Sequence, residues 1–158
     1  MPLIRSISGL RATVNDSLDG LIIQNYAKAF HSVTDDGPIV IGRDGRPSGE
    51  QIEQTLTGTL IEMGREVLSA GIVPTPTVQV LVEHFNAAGG IIITASHNPA
   101  EWNGLKFVNS NGVFFDSDEN KNLWHHLDNQ IFEPSKSTGL IHRIDDAAAI
   151  HIDRIMNL

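Results

Sequence analysis

Short apolar runs, each followed by a polar loop and then a segment of helical periodicity, constrain this chain more than any other feature. Ile39-Val40-Ile41, introduced by the turn-rich Asp35-Asp36-Gly37 and by Pro38, reads as a buried strand. After a polar loop at 42–47, Ser48 and Gln51 spell an S-x-x-Q capping box that opens a helix. On it Ile52, Leu56, Leu60 and Met63 share one face, and Gly64 marks the stop. Glu66-Val67-Leu68-Ser69 reads as a second strand, residues 77–84 as a helix after Pro74-Thr75-Pro76, and Ile91-Ile92-Ile93 as a third strand. Strand, helix, strand, helix, strand with short connections predicts an α/β fold: a mixed, mainly parallel sheet sandwiched between helices in α/β/α layers.

The flanks extend the pattern. Leu18, Ile22, Tyr26, Phe30 and Val33 mark an amphipathic helix before the first of these strands. Residues 105–108 and 113–115 flank Asn109-Ser110-Asn111-Gly112, a hairpin turn signal. Ser117 or Asp118 then caps a helix running to about Leu127, so the acidic Asp116-Ser117-Asp118 reads as a helix start rather than a calcium loop. These elements divide the chain into a domain over 1–132, a linker over 133–140 and an opening helix of a further domain over 141–158. In that last stretch Ala148, Ile152 and Ile155 have helical spacing. A helix this short cannot bury its apolar face unaided, so it docks on the first domain or belongs with something else. A stand-alone domain requires Ile152 and Ile155 to pack on its own core.

Composition removes several function classes. The formal net charge of −8 disfavours nucleic acid or an anionic membrane as partner. With no cysteine, disulfide frameworks and thiolate zinc sites are excluded, and the seven histidines form no metal-binding spacing such as H-E-x-x-H. No apolar run approaches membrane-spanning length and the opening residues lack a signal-peptide core, so the expectation is a soluble cytoplasmic protein.

A parallel sheet gathers the carboxyl ends of its strands on one edge, where ligands bind. The loops carrying Arg43, Asp44 and Arg46, then Val73 and Pro74, then Ser96, His97 and Asn98 all leave strands, so all three should line that edge. Gly89-Gly90 permits close backbone approach before the third strand, and Pro99 stiffens the loop after Asn98. A serine here is an ordinary loop residue or a functional one. The neighbouring groups suit transfer of an anionic group to its hydroxyl: Lys106 is more often a solvated charge, but if its strand lies beside Ser96 the ammonium can neutralise a phosphate or, with a lowered pKa, take the hydroxyl proton. His97 alone is more often a hydrogen-bonding loop residue. Arg11, Arg43 and Arg46 most simply make ion pairs, Arg43 with Asp44 or Glu50, yet on a binding edge arginine also forks onto phosphate. Acyl transfer is disfavoured: G-x-S-x-G is absent, and adjacent Ser and His side chains diverge.

Thr94-Ala95-Ser96-His97-Asn98-Pro99, with Asn103-Gly104-Leu105-Lys106 behind it, resembles the phosphoserine loop of the α-D-phosphohexomutases. Ser8-Gly9-Leu10-Arg11, Gly42-Arg43-Asp44-Gly45-Arg46-Pro47-Ser48-Gly49 and Gly71-Ile72-Val73-Pro74-Thr75-Pro76 are similar to further motifs of that family, in family order. The resemblance spans roughly residues 3–132 and implies the first α/β/α domain of a multidomain mutase. That enzyme interconverts hexose 1-phosphate and hexose 6-phosphate through a hexose 1,6-bisphosphate. By this likeness Ser96 carries the phosphoryl group and lends an oxygen ligand to Mg²⁺, Lys106 is the general base, and His97 assists proton transfer. Arg11 sits against the reacting phosphate, while Asn98, Asp44 and Arg46 shape the loop. The partners implied are a hexose phosphate and the later domains of the same polypeptide.

The departures are specific. Ala12 stands where the family usually has glycine, and the D-x-D-x-D metal loop and the sugar-discriminating loops of the later domains are absent. The opening Ser6-Ile7-Ser8-Gly9-Leu10-Arg11 resembles the phosphoglucosamine branch more than the phosphomannomutase branch. Two other readings remain open from residues alone: a non-catalytic domain that binds sugar phosphates or a partner, and a phosphatase-like hydrolase using Ser96 directly.

Overall fold

The computed structural model describes residues 3–133 and 137–158. Pro134, Ser135 and Lys136, within the expected linker, lie outside the described residues. In chain order the elements are β1 (Ile4–Ser6), β2 (Gly9–Thr13), α1 (Gly20–Val33), β3 (Ile39–Arg43), α2 (Gly49–Glu62), β4 (Val67–Ile72), α3 (Thr75–His84), β5 (Gly89–Ile93), β6 (Trp102–Asn109), α4 (Ser117–Asp128), β7 (Ile141–Arg143) and α5 (Ala147–Met156).

All the described strands join one sheet in the order β1-β2-β6-β5-β3-β4-β7. From β5 through β3 and β4 to β7 the pairing is parallel, as the alternating strands and helices require. From β5 through β6 and β2 to β1 it is antiparallel. The sheet is thus mixed, and its antiparallel half brings β2 and β6 beside the carboxyl end of β5. Neither β1, β2 nor β7 is expected from the sequence: each is short or interrupted by polar residues, and partners elsewhere in the chain decide its pairing.

Strand alternation builds the two apolar layers. Leu10, Ala12, Ile39, Ile41, Ile91, Ile93, Leu105 and Phe107 face α1, α2 and α4, where Tyr26, Phe30, Leu56, Leu60 and Leu123 are buried against them. Val40, Leu68, Ile92 and Val108 face α3, whose Val78, Leu81 and Val82 are fully buried. Each such aliphatic side chain contributes about 1.5–3 kcal/mol on leaving water. Both sheet faces are helix-covered, the α/β/α arrangement expected. At β5, a Cβ on Gly89 would lie 2.9 Å from Phe30 Cζ, and one on Gly90 would lie 2.9 Å from Val82 Cγ2. Glycine pairs there let helices approach from both sides.

Several local expectations change. Ser48 precedes α2 but makes no capping bond, because its backbone is already helical (φ −73°, ψ −14°). Its hydroxyl accepts instead from Asn103 Nδ2 at 2.8 Å. Helix α4 is capped by Asp116, one residue earlier than expected. The Asp116 carboxylate accepts from the amides of Asp118 and Glu119, and Glu119 Oε2 accepts from the Asp116 amide. The Asn111-Gly112 turn is present, with Gly112 at φ 73°, but residues 113–115 return as an isolated bridge, Val108 to Phe114, rather than as a strand. The C-terminal stretch holds a strand as well as the expected helix. β7 pairs with β4, and α5 lies on α3, with Ala147 buried and Thr77 Oγ1 2.8 Å from His151 Nδ1. Ile152 and Ile155 stay 60% and 56% exposed, not packed on the core as a stand-alone domain requires.

Candidate active site

Three parallel strands deliver the three expected loops to one edge of the sheet. The Asp44 amide donates to the Ile93 carbonyl at 3.1 Å and the Val73 amide to the Arg43 carbonyl at 3.0 Å, so the exits of β3, β4 and β5 are hydrogen-bonded neighbours. The Thr94 amide donates to the Gly104 carbonyl at 3.0 Å, which joins the β5 exit to β6.

Arg46 is the hub of this edge. Its Nη1 donates to the carbonyls of Pro99 (2.7 Å) and Trp102 (3.1 Å), and its Nη2 to those of Ser96 (2.9 Å) and Asn98 (2.7 Å). Its Nε donates to Asp44 Oδ2 at 3.2 Å, and its side chain is only 12% exposed. A planar five-donor group can span four carbonyls and a carboxylate at once, which a lysine cannot. Asp44 completes its own bonding through the Arg46 amide to Oδ1 (3.0 Å) and the Thr94 hydroxyl to Oδ2 (2.7 Å).

The wrapped loop holds Ser96 in an unusual conformation. Its φ is 55°, in the left-handed region that costs a non-glycine residue about 1–2 kcal/mol. The Ser96 amide donates to Thr94 Oγ1 at 3.0 Å, and the residue itself is solvent-exposed. Asn98 turns its side-chain oxygen to Arg11, whose Nη1 donates to Oδ1 at 3.2 Å. His97 is exposed beside Ser96, and no bond ties it to the serine hydroxyl among the described residues.

Lys106 and Arg11 approach along the sheet. Arg11 on β2 stands opposite Gly104 on β6, and Lys106 lies two residues beyond Gly104 on the same sheet face. Lys106 is opposite Ile92 on the other side and half-buried, with its ammonium 5.7 Å from the Phe114 ring centre. Burial, and then the Arg11 charge, hold the Lys106 ammonium below the ordinary lysine pKa.

The structure therefore brings Asp44, Arg46, Asn98 and Arg11 into one network around Ser96. Lys106 stands on the adjoining face, and His97 is left outside the network. Arg43 departs from expectation. It pairs with Glu53 at 2.7 Å rather than with Asp44 or Glu50, since Asp44 is taken by Arg46 and Thr94 while Glu53, also bonded to Ser69 Oγ, faces β3 and β4. Thr94 and Phe114 were not singled out from the sequence. A threonine two residues before the exposed serine carries the signal of a side-chain turn. The antiparallel return after Asn111-Gly112 places Phe114 opposite Val108, within reach of Lys106.

A magnesium ion does not fit on these residues alone. Among the described residues no group of three or more His, Asp or Glu could hold a metal ion. The carboxylate that braces the serine loop from the end of β3, Asp44, is already satisfied by Arg46 and Thr94. Among the described residues, no helix is long and apolar enough to cross a membrane.

Known proteins match this arrangement. A family model described as phosphoglucomutase/phosphomannomutase, alpha/beta/alpha domain I, matches residues 4–134. A phosphoglucosamine mutase from Clostridium botulinum (strain Loch Maree / Type A3) is 32% identical over 135 residues, covering 83% of this chain and 30% of that protein. A phosphoglucomutase/phosphomannomutase from Thermococcus kodakarensis is 40% identical over 102 residues, covering 56% of this chain and 22% of its own length. The crystal structure of a phosphoglucomutase/phosphomannomutase family protein from Burkholderia thailandensis superposes with a TM-score of 0.79 at 25% identity, covering 98% of this chain and 36% of that one. The chain thus spans about a third or less of each of these relatives. With the sheet, the serine loop and the family match in agreement, the chain belongs to the phosphoglucomutase/phosphomannomutase family and carries its α/β/α domain I.

Proposed function

We propose that this chain is the phosphoserine-bearing domain of a cytoplasmic phosphohexomutase interconverting hexose 1-phosphate and hexose 6-phosphate. The observation that carries the reading is the Arg46 clamp. An arginine with four loop carbonyls and one carboxylate holds an exposed serine in a left-handed turn, and Arg11, which bonds Asn98 of that loop, also acts on Lys106, whose pKa is lowered. Phosphoryl transfer depends on positioning and charge neutralisation more than on covalent chemistry by the protein, and these are the features on this edge.

In the first half-reaction a sugar hydroxyl oxygen attacks the phosphorus of phosphorylated Ser96. The P–O bond to the sugar forms and the P–O bond to Ser96 Oγ breaks. Lys106, as the neutral amine, takes the sugar hydroxyl proton, and the leaving Ser96 oxygen regains one with His97 assisting. The resulting hexose 1,6-bisphosphate returns its other phosphoryl group to Ser96 by the same exchange in reverse. Arg11 neutralises the phosphate, and Asn98, Asp44 and Arg46 keep the loop in shape. Magnesium would receive only a phosphoserine oxygen from this chain, its other ligands coming from outside residues 1–158. The isolated chain should therefore not turn over alone.

The test is a chimera in which residues 1–158 replace the matching segment of the Clostridium botulinum phosphoglucosamine mutase. Incubated with Mg²⁺ and radiolabelled glucose 1,6-bisphosphate, it should acquire label on the peptide containing Ser96 and lose it in Ser96→Ala. Label that survives Ser96→Ala would show that another residue is the acceptor.

A further inference from the structure

Thr94 joins two parts of the site that are otherwise separate. Its hydroxyl donates to Asp44 Oδ2 at 2.7 Å and accepts from the Ser96 amide at 3.0 Å. A hydroxyl has one proton to give and lone pairs to receive with, so both bonds form at once. The side chain sits in a residue only 6% exposed, at the end of the buried β5, and its own amide is fixed to the Gly104 carbonyl at 3.0 Å. Thr94 is thereby held from both sides of the sheet before the chain turns into the loop. Asp44 in turn accepts from Arg46 through its other contacts, so a continuous path runs from the guanidinium through carboxylate and hydroxyl to the serine backbone. Without the hydroxyl, the Ser96 amide loses its acceptor and nothing else in this path opposes the strain of φ 55° from the amino-terminal side.

From this we infer that Thr94 is a positioning residue for Ser96: its side-chain oxygen fixes the serine backbone in the left-handed turn that presents the hydroxyl for phosphoryl transfer. The inference rests on the phosphoserine reading. Ala95 is buried and its carbonyl accepts from the Asn98 amide at 3.1 Å, which closes the turn across Ser96, while the oxygen of Thr94 is the group that holds the Ser96 amide itself. Serine at 94 keeps the oxygen, while valine keeps the β-branched shape and discards it.

The experiment compares Thr94→Val and Thr94→Ser with the native residue, and Thr94→Ala serves where valine does not fold. In this chain, amide hydrogen exchange at Ser96 is followed by NMR, with the thermal midpoint as a check on folding. Exchange should be about tenfold faster in Thr94→Val and native-like in Thr94→Ser, the size expected for loss of one good hydrogen bond. In the chimera, label transfer to Ser96 from radiolabelled glucose 1,6-bisphosphate should fall about 10- to 100-fold in Thr94→Val and recover in Thr94→Ser, as for a reacting group displaced by about an ångström. Unchanged exchange in Thr94→Val overturns the inference, and so does altered exchange with unaltered transfer. A native chimera that takes no label on Ser96 sinks the phosphoserine reading instead, and leaves the exchange result to stand by itself.

Discussion

Arg46 Nη2 and the Ser96 carbonyl oxygen lie 2.9 Å apart, although 50 residues separate them in sequence. One is three residues past β3 on a polar loop, the other three past β5 on the next, and the parallel pairing of β3 with β5 brings the exits together. The contact converts sheet topology into loop geometry. A positively charged donor holds the carbonyl of the residue whose hydroxyl is proposed to react, so the loop is preorganised without using that hydroxyl.

Arg46→Lys should expose how much of this preorganisation depends on a fork rather than on charge. An ammonium cannot serve four carbonyls and a carboxylate, so the variant should be about 2–4 kcal/mol less stable in urea denaturation. Amide exchange should accelerate at 96–98 before it does in the sheet. A loss under about 0.5 kcal/mol, typical of exposed charge pairs, would mean the contacts are dispensable.

Arg11 helps to keep Lys106 below its ordinary pKa, after burial. Removing a positive neighbour favours the protonated lysine, so Arg11→Gln should raise the Lys106 pKa. A titration of the Lys106 side-chain carbon signals by NMR reads this directly. The rising limb of phosphoryl transfer with pH should move to higher pH by the same amount. A Lys106 titration that stays put or moves down contradicts the assigned coupling.

His31 reports on a second arginine. Arg65, buried, donates Nε to His31 Nδ1 at 2.8 Å and further N–H groups to the carbonyls of His31, Thr34, Asp35 and Gly37. Nδ1 accepts only when unprotonated, and burial together with the Arg65 charge holds His31 below its ordinary value of 6.5. As pH falls through that unfolded value, the unfolded chain binds the proton first. Stability is therefore full above it and declines toward the folded pKa. His31→Gln should flatten this part of the stability profile, measured by urea midpoints between about pH 7 and 5. An equally steep profile in the variant assigns the acid sensitivity elsewhere.

Gly104 permits the β2–β6 contact that carries Arg11 to the site. A Cβ there would lie 2.1 Å from the Leu10 carbonyl oxygen and 3.1 Å from that of Thr94. Gly104→Ala must therefore push β2 away, and should destabilise the fold by about 3 kcal/mol while disordering Arg11. A chemical-denaturation loss below about 1 kcal/mol would show that the strands yield easily.

The sequence carries the parallel half of this fold plainly. Ile39 to Ile41 and Ile91 to Ile93 are continuous β-branched runs, fully buried as strands covered on both faces must be. Its site loops were legible for the same reason, because strand ends in a parallel sheet share an edge. The antiparallel half was not. Gly9–Thr13 shows no long apolar run, and its place beside β6 is decided by contacts across more than 90 residues, as in the Arg11 to Gly104 pair. Ile141–Arg143 is exposed throughout and joins the sheet by backbone pairing with β4, which leaves no apolar pattern to read. Ser48 misled because a capping pattern fixes residue types, whereas the bond needs an extended backbone that Ser48 does not have. Thr94 has no distinct signature in the sequence, because one hydroxyl at a strand end has many ordinary roles; its bonds to Asp44 and to the Ser96 amide single it out.

Phosphopeptide mapping at Ser96 tests the central claim most directly. The chimera carrying residues 1–158 is incubated with Mg²⁺ and radiolabelled glucose 1,6-bisphosphate, digested, and its labelled peptides sequenced. The proposed function predicts label on Ser96 that chases back into sugar phosphate when unlabelled hexose phosphate is added. A folded chimera that takes no label there, or holds it elsewhere in the Ser96→Ala variant, would contradict a phosphoryl-carrying role for this serine.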